Sequence, residues 1–221
     1  MILTNSPDLP VLPTDFPLIG FLKYFDEPSC TRGLEIGANE NYCSAILQRN
    51  GFHMTGIDPN PYKPERLLLD KINAPYVIDW RQIVGTVKDA GSLVEYPYDF
   101  IVSISAIEHF GLGFYGEEID EHADQEAMKC AYAWLKPGGR FYLTVPTGTW
   151  SVTNHWRRYD SDHLGQLLQG LFRIRSMHVL HSHDLPALQS PDVDKDSVHA
   201  AMTWNGTGCN YEPLFILEKP L

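Results

Sequence analysis

Short apolar runs alternate with amphipathic stretches along most of this 221-residue chain. The apolar runs predict strands at 33–36, 53–58, 76–78, 100–105, 140–145, 174–180 and 213–218. Between them, apolar residues recur at helical spacing over 16–25, 42–49, 121–135 and 161–169. Because strands alternate with helices, we expect an α/β fold whose doubly wound, mostly parallel sheet is covered on both faces.

Two segments interrupt this alternation. Residues 1–30 begin with four closely spaced prolines and then turn apolar, which predicts an N-terminal flap with a short helix. Residues 182–211 have no regular pattern, and such a length is too great for an ordinary connection. We therefore expect one domain over 1–221, with 182–211 as an insertion that covers a site or mediates homo-oligomer formation.

Composition and charge exclude several classes of protein. Seventeen basic and 28 acidic residues give a net charge of −11, which would repel a polyphosphate backbone and argues against nucleic acid as a partner. No stretch of about 18 apolar residues predicts a membrane span. The four cysteines are scattered without a Cys-x-x-Cys spacing, so neither a disulfide scaffold nor a thiolate zinc site is expected. We expect a cytoplasmic protein with no membrane partner.

The turns after the first two strands carry a candidate site, because ligands bind beyond the carboxyl ends of the strands in doubly wound sheets. Gly37 lets the backbone turn tightly against a ligand, and Asp58 ends the second strand about twenty residues later. A carboxylate in that place is suited to accept hydrogen bonds from both hydroxyls of a ribose. The two turns therefore predict a nucleoside-binding arrangement.

Four motifs in register extend this arrangement over residues 33–146. They are Glu35-x-Gly37, Asp58, Ser105-Ala106-Ile107-Glu108-His109 and Leu135-Lys136-Pro137-Gly138-Gly139. Together they resemble the class I S-adenosylmethionine-dependent methyltransferases, and the Glu-His-Phe-Gly-Leu-Gly run resembles a poorly characterised subgroup of them. The resemblance implies a Rossmann-like seven-stranded sheet with an antiparallel C-terminal strand. It also implies S-adenosylmethionine as the cofactor and S-adenosylhomocysteine as its product.

The resemblance further implies a set of cofactor-binding residues: Glu35, Gly37, Ala38, Asn39, Asp58, Asp79, Trp80 and Ser105. Glu35 and Gly37 would adjoin the methionine part of the cofactor, and Asp58 would hold the ribose. Asp79 and Trp80 would follow the third strand and lie beside the adenine. Asn39 and Asn41 stand where the family usually has glycines, and their bulk leaves a cofactor-free or catalytically inactive binding protein as an alternative.

A second alternative is an NAD-dependent oxidoreductase. Its cofactor requires a Gly-x-Gly-x-x-Gly turn whose amides meet a pyrophosphate at a helix N-terminus. Here the turn has one glycine, Gly37, and carries Glu40, which would repel a pyrophosphate but tolerates a sulfonium. The turn therefore favours the methyl donor.

The loop after the fourth strand suggests the chemistry. His109, with Glu108 beside it, is a candidate general base that would take the proton of an acceptor hydroxyl. Glu108 and His109 also resemble the end of the metal-binding Glu-x-x-Glu-His motif of some O-methyltransferases, although Ser105 replaces the first Glu. In this chain, His155 would add a further metal ligand. In a third interpretation, Glu108 caps backbone amides and His109 only packs beneath the site.

The expected partner on the acceptor side is a small molecule, methylated on oxygen rather than nitrogen. Tyr115 lies in a glycine-rich aromatic segment, 111–116, suited to closing over a flat or sugar-like acceptor. His155, Arg157 and Arg158 form a dense polar cluster after the fifth strand. The arginines are predicted either to hold an anionic group of the acceptor or only to balance the surplus of acid.

Overall fold

A computed structural model describes residues 16–38, 43–61, 81–95, 97–168, 170–178 and 212–221 of the chain. In chain order the elements are α1 (Phe16–Tyr24), β1 (Arg32–Ile36), α2 (Cys43–Arg49), β2 (His53–Asp58), β3 (Arg81–Val84), α3 (Val87–Ala90), β4 (Tyr98–Ile104), α4 (Ala123–Trp134), β5 (Leu135–Thr144), β6 (Ser151–Val152), β7 (Arg157–Arg158), α5 (Ser161–Leu168), β8 (Arg173–His178) and β9 (Leu214–Glu218). A single 3₁₀ turn, Ile107–His109, follows β4. None of these described helices has the length and apolar character that crossing a membrane requires.

Seven strands form one sheet in the order β3-β2-β1-β4-β5-β9-β8. The first five are parallel, and β9 runs antiparallel to both β5 and β8. The strand order reverses between β1 and β4, which opens a crevice at their carboxyl ends. The predicted doubly wound, Rossmann-like sheet with an antiparallel C-terminal strand is confirmed.

Both faces of the sheet are buried. Ile101 and Phe141 face a core shared with α3, α4 and α5. Phe100 and Tyr142, their neighbours along the same strands, face a second core shared with α1 and α2. Burial on both faces explains why the inner strands are continuous apolar runs with no polar alternation.

The third strand of the sheet was not among the predicted strands. It is formed by Arg81–Val84, whereas 76–78 lie outside the described residues. The strand is at the edge of the sheet and only Ile83 is buried, so its sequence lacks the apolar run that marks an inner strand.

Residues 136–139, which precede the predicted strand 140–145, form a bulge within β5. Tyr98 pairs with Leu135 and Phe100 with Arg140, so one residue of β4 faces four of β5. Gly138 has a φ of +75°, which explains the glycine there. The elements α3, β6 and β7 were not predicted because two to four residues are too few to show a period.

His178 ends β8 against the N-terminal helix. Its ring stacks on that of Tyr24, with centroids 3.7 Å apart, and Nε2 lies 3.0 Å from the Ser176 hydroxyl. Burial, assisted by the charge of Lys23, lowers the pKa of His178 to about 4. The folded chain therefore holds this imidazole neutral.

We expect His178 to make folding stability fall as the pH is lowered from about 6.5 to 4. The unfolded chain binds the proton below its ordinary pKa of 6.5, and the folded chain does not until about 4. Over that window the wild type should lose on the order of 2 kcal/mol more than His178→Phe, which keeps a ring on Tyr24. Urea unfolding at several pH values measures this difference, and parallel curves for the two proteins would contradict it.

Candidate active site

A cavity of about 1150 Å³ opens at the carboxyl ends of the parallel strands. Its walls come from the turns after β1, β2, β3 and β4 and from the turn before β9. The first residues of α1, Pro17 and Leu18, also line it. The cavity thus lies where the strand order reverses, as expected for a ligand site in this fold.

The turn after β1 depends on a glycine. Gly37 has a φ of +82°, and its N–H donates to the Ile57 carbonyl at 2.9 Å. A Cβ at this position would come within 2.3 Å of the Ala106 Cβ in the turn after β4. The two turns therefore approach closely enough to share one ligand, with buried Ala38 continuing the first.

Glu35 lies beneath this turn and does not line the cavity. It is fully buried in β1, and its Oε2 accepts hydrogen bonds from the Ser44 N–H at 2.9 Å and from the Ser44 hydroxyl. The structure therefore gives Glu35 the role of joining α2 to β1, which departs from the predicted contact with the cofactor.

Asp58 ends β2 on the cavity wall. One carboxylate oxygen accepts the Asn60 N–H at 2.8 Å, which fixes the orientation of the side chain. The Asp58 carbonyl accepts the Gly85 N–H at 2.9 Å, so the turn after β3 is tied to that after β2. A mostly buried, oriented carboxylate at the end of β2 is the group that the sequence predicts for a ribose diol.

Three predicted cofactor residues, Asn39, Asp79 and Trp80, lie outside the described residues, as does Asn41. Asp79 and Trp80 precede β3 in the chain and were assigned on the basis of an earlier strand. The residues that do follow β3 are Gly85 and Thr86 on the cavity wall.

The turn after β4 carries a strained serine. Ser105 has a φ of +47°, and its N–H donates to the Thr144 hydroxyl at 2.9 Å. Glu212 lies across from it and accepts hydrogen bonds from the Thr144 hydroxyl at 2.7 Å and from the Ser105 hydroxyl. Burial raises the pKa of Glu212.

Sequence reasoning missed Glu212. It is a single acid directly before the predicted strand 213–218, and the sequence pattern does not show what it faces. Leu214 pairs with Thr144, so the start of β9 lies at the carboxyl end of β5. That register places Glu212 on the cavity wall, opposite Ser105 and Thr144, which are 107 and 68 positions away.

His109 lies on the cavity wall in the 3₁₀ turn after β4. Its Nδ1 is hydrogen-bonded to the His155 carbonyl, which can only accept, so Nδ1 carries the proton. A neutral imidazole held in this way has its lone pair on Nε2. The arrangement is that of a general base whose tautomer is fixed by the backbone.

Glu108 is fully buried behind His109. Burial, and then the charge of Glu212, raise the pKa of Glu108 well above its usual range. Its Oε1 lies 3.7 Å from His109 Nε2, beyond hydrogen-bonding distance. Glu108 is therefore enclosed within the loop, whereas His109 faces the cavity.

Aromatic rings flank His109 on the acceptor side. Tyr115 lines the cavity, and its hydroxyl lies 3.3 Å from His155 Nε2. Phe114 stacks on the His155 ring with centroids 3.9 Å apart, and its side chain is half exposed. His155 thus connects the aromatic segment to His109 and does not itself line the cavity.

The predicted arginines are not on the cavity wall. Arg157 is buried, with Nη1 donating to the Phe110 carbonyl at 2.5 Å and Nε 3.7 Å from an Asp124 carboxylate oxygen. Arg158 lies over the Trp156 ring, 4.9 Å from its centroid. Arg157 therefore holds the loop after β4 in place, which departs from the predicted binding of an anionic acceptor.

The weaker metal hypothesis finds no support in these positions. His109 and His155 meet through a ring nitrogen and a backbone carbonyl, and the His155 ring is stacked on Phe114. In the part of the chain that the structure describes, no three His, Cys, Asp or Glu side chains converge on a metal position.

Comparison with known proteins identifies the family of this chain. A family model described as the methyltransferase domain matches residues 17–189, most of the chain. No curated protein sequence matches this chain.

Solved methyltransferase structures share the fold. A methyltransferase described as putative from Bacillus halodurans aligns over 92% of this chain and 99% of its own, at 11% identity and a TM-score of 0.60. The 1,6-didemethyltoxoflavin-N1-methyltransferase of Burkholderia thailandensis was solved with bound 1,6-didemethyltoxoflavin and S-adenosylhomocysteine. It aligns over 87% of this chain and 72% of its own, at 14% identity and a TM-score of 0.55. The putative methyltransferase in complex with the Trm112 activator from Haloferax volcanii aligns over 93% of this chain and 90% of its own, at 14% identity and a TM-score of 0.58.

The sheet order, the crevice between β1 and β4 and the matched family model lead to one assignment. The family match decides against a dinucleotide-dependent oxidoreductase and confirms S-adenosylmethionine as the cofactor. The chain belongs to the class I S-adenosylmethionine-dependent methyltransferases.

Proposed function

We propose that this methyltransferase transfers the methyl group to an oxygen of a small-molecule acceptor that binds beneath Tyr115. The observation that carries the proposal is the position of His109. It lies in the same cavity as Asp58, and its backbone-held tautomer leaves a basic nitrogen on the side chain.

One half of the cavity suits the cofactor. Asp58 would accept the ribose hydroxyls, and Gly37 and Ala38 would let the methionine part lie against the backbone. Gly85 and Thr86, after β3, would adjoin the adenine. When bound, S-adenosylmethionine supplies an electrophilic methyl group on a sulfonium.

The other half suits an acceptor hydroxyl. The O–C bond to the acceptor would form as the C–S bond of the bound donor breaks, and the electron pair of that bond would stay on sulfur. The proton of the hydroxyl goes to His109 Nε2, and the Nδ1–H bond to the His155 carbonyl steadies the resulting imidazolium. Tyr115, held by His155, would cover the acceptor and exclude water.

The inactive alternative rests on Asn39 and Asn41. Bulk beside the cofactor would weaken its binding, and so direct measurement of binding separates the two hypotheses. Two results together would support the active enzyme. The chain would bind S-adenosylhomocysteine, and it would release this product from S-adenosylmethionine in a screen of phenols, alcohols and amines.

We expect His109→Gln to lower kcat by roughly 100- to 1000-fold on a hydroxyl acceptor found in that screen, because the general base is removed. The affinity for S-adenosylhomocysteine should stay within about threefold of wild type, since the change lies on the acceptor side. Product release gives kcat, and calorimetry gives the affinity.

His163→Gln is the matched control, because His163 lies on α5, pairs with Asp160 and is absent from the cavity wall. It should leave both quantities unchanged. A His109→Gln enzyme with wild-type kcat would contradict the base and leave His109 a packing residue.

A further inference from the structure

Glu212 carries a half-buried carboxyl group on the cavity wall that the mechanism above does not use. Its Oε1 accepts hydrogen bonds from the hydroxyls of Ser105 and Thr144. These two bonds join the turn before β9 to the ends of β4 and β5. The carboxyl group is therefore held in one orientation beside the turn that carries His109.

The backbone at Ser105 is strained to make this contact. A φ of +47° at a residue with a Cβ costs on the order of 1 kcal/mol or more, and glycine would relieve it. Glycine, however, has no hydroxyl to donate to Glu212. Strain of this kind is found where a surrounding site requires a particular side chain.

The charge of the cavity wall points to the kind of ligand. Among the described residues that line it, the acids are Asp58, Asp89, Glu117, Glu118, Asp120, Glu126 and Glu212. Among the described residues of the wall, Lys88 is the one lysine and none is an arginine. Arg157 is buried against Asp124 and does not reach the cavity. A carboxylate or phosphate would meet a repulsive potential, whereas a cation would be attracted.

We propose that Glu212 determines acceptor specificity: its carboxylate binds an ammonium group beside the reacting atom, and the methyl acceptor is an amine-bearing small molecule. This inference rests on the proposed function and names its substrate class. Burial raises the pKa of Glu212, and a cationic ligand beside it would stabilise the ionised carboxylate.

Sinefungin tests this proposal without a known acceptor. In this cofactor analogue an amine-bearing carbon replaces the methylated sulfur, so its ammonium group lies where the transferred methyl group would point. S-adenosylhomocysteine has the same nucleoside and amino acid parts and lacks that ammonium. The ratio of the two affinities therefore isolates the interaction with positive charge on the acceptor side.

We expect Glu212→Gln to lower the preference for sinefungin over S-adenosylhomocysteine by at least about tenfold, because a charge-assisted hydrogen bond is lost. Glutamine keeps an oxygen acceptor for Ser105 and Thr144. Glu218→Gln is the matched control, since Glu218 ends the same strand and pairs with Arg175. The control should keep the wild-type preference in calorimetry of the full chain.

An unchanged ratio in folded Glu212→Gln would overturn the proposal. If that variant does not fold, Glu212→Asp is tested instead, because it moves the carboxylate back by one methylene. It should reduce the preference for sinefungin by a smaller factor. A wild-type preference in Glu212→Asp would also overturn the proposal. Failure of the wild type to bind either ligand would instead contradict the proposed function, so the two failures are distinguishable.

Discussion

Replacing Asp58 by alanine is expected to weaken binding of S-adenosylhomocysteine by roughly a hundredfold, which calorimetry would measure. The side chain is oriented by the Asn60 N–H at 2.8 Å and lines the cavity at the end of β2. Two charge-assisted hydrogen bonds to a ribose diol are together worth about 3 kcal/mol, which is the expected loss.

Two further variants test the cause of this loss. Asp58→Asn keeps the shape and one acceptor oxygen, so its loss should be intermediate. Asp162→Ala removes an exposed carboxylate from the first turn of α5 and should leave the affinity unchanged. Wild-type affinity in Asp58→Ala would show that the ribose does not bind at β2.

Replacing Arg157 by alanine should destabilise the fold by roughly 3 kcal/mol. The change leaves Asp124 buried without its cationic neighbour and removes the donor to the Phe110 carbonyl. Removing one member of a buried ion pair usually costs about 3–5 kcal/mol, and the 3.7 Å separation places this pair at the lower end. Thermal melting should show a decrease in Tm of about 6–12 °C.

Arg158→Ala is the control for Arg157. Among the cation–π and ion pairs of the described residues, Arg158 takes part in one, which it makes with the Trp156 ring. Its loss should therefore cost less than about 1 kcal/mol. In addition, Asp124→Ala combined with Arg157→Ala should cost less than the sum of the single changes. Equal melting temperatures for Arg157→Ala and Arg158→Ala would contradict the assigned role.

The fold could be predicted because its strands and helices obey simple periods. Buried strands such as Tyr98–Ile104 are mostly apolar, and glycine follows the ends of α2, α3 and α5 within two residues. Asp58 and Gly37 could be found because they stand at strand ends, where position along the chain fixes position in space. The edge strand Arg81–Val84 carries no such pattern, and the predicted strand at 76–78 lies outside the described residues.

The side-chain network of the site could not be predicted, because it joins residues that are distant in sequence. Glu212 meets Ser105 through the antiparallel register of β9, and Arg157 meets Asp124 through the ribbon after β5. Polarity suggested that Arg157 binds a ligand, whereas its burial shows that it stabilises the loop. Composition gave no means of telling these two roles apart.

The central claim, that this cavity binds the methyl donor and its product, is tested most directly by titrating the full chain with S-adenosylhomocysteine. We expect one molecule to bind per chain with a dissociation constant on the order of 10 μM, within the range of ordinary enzyme–substrate constants. An absence of saturable binding at millimolar ligand would contradict the assigned site.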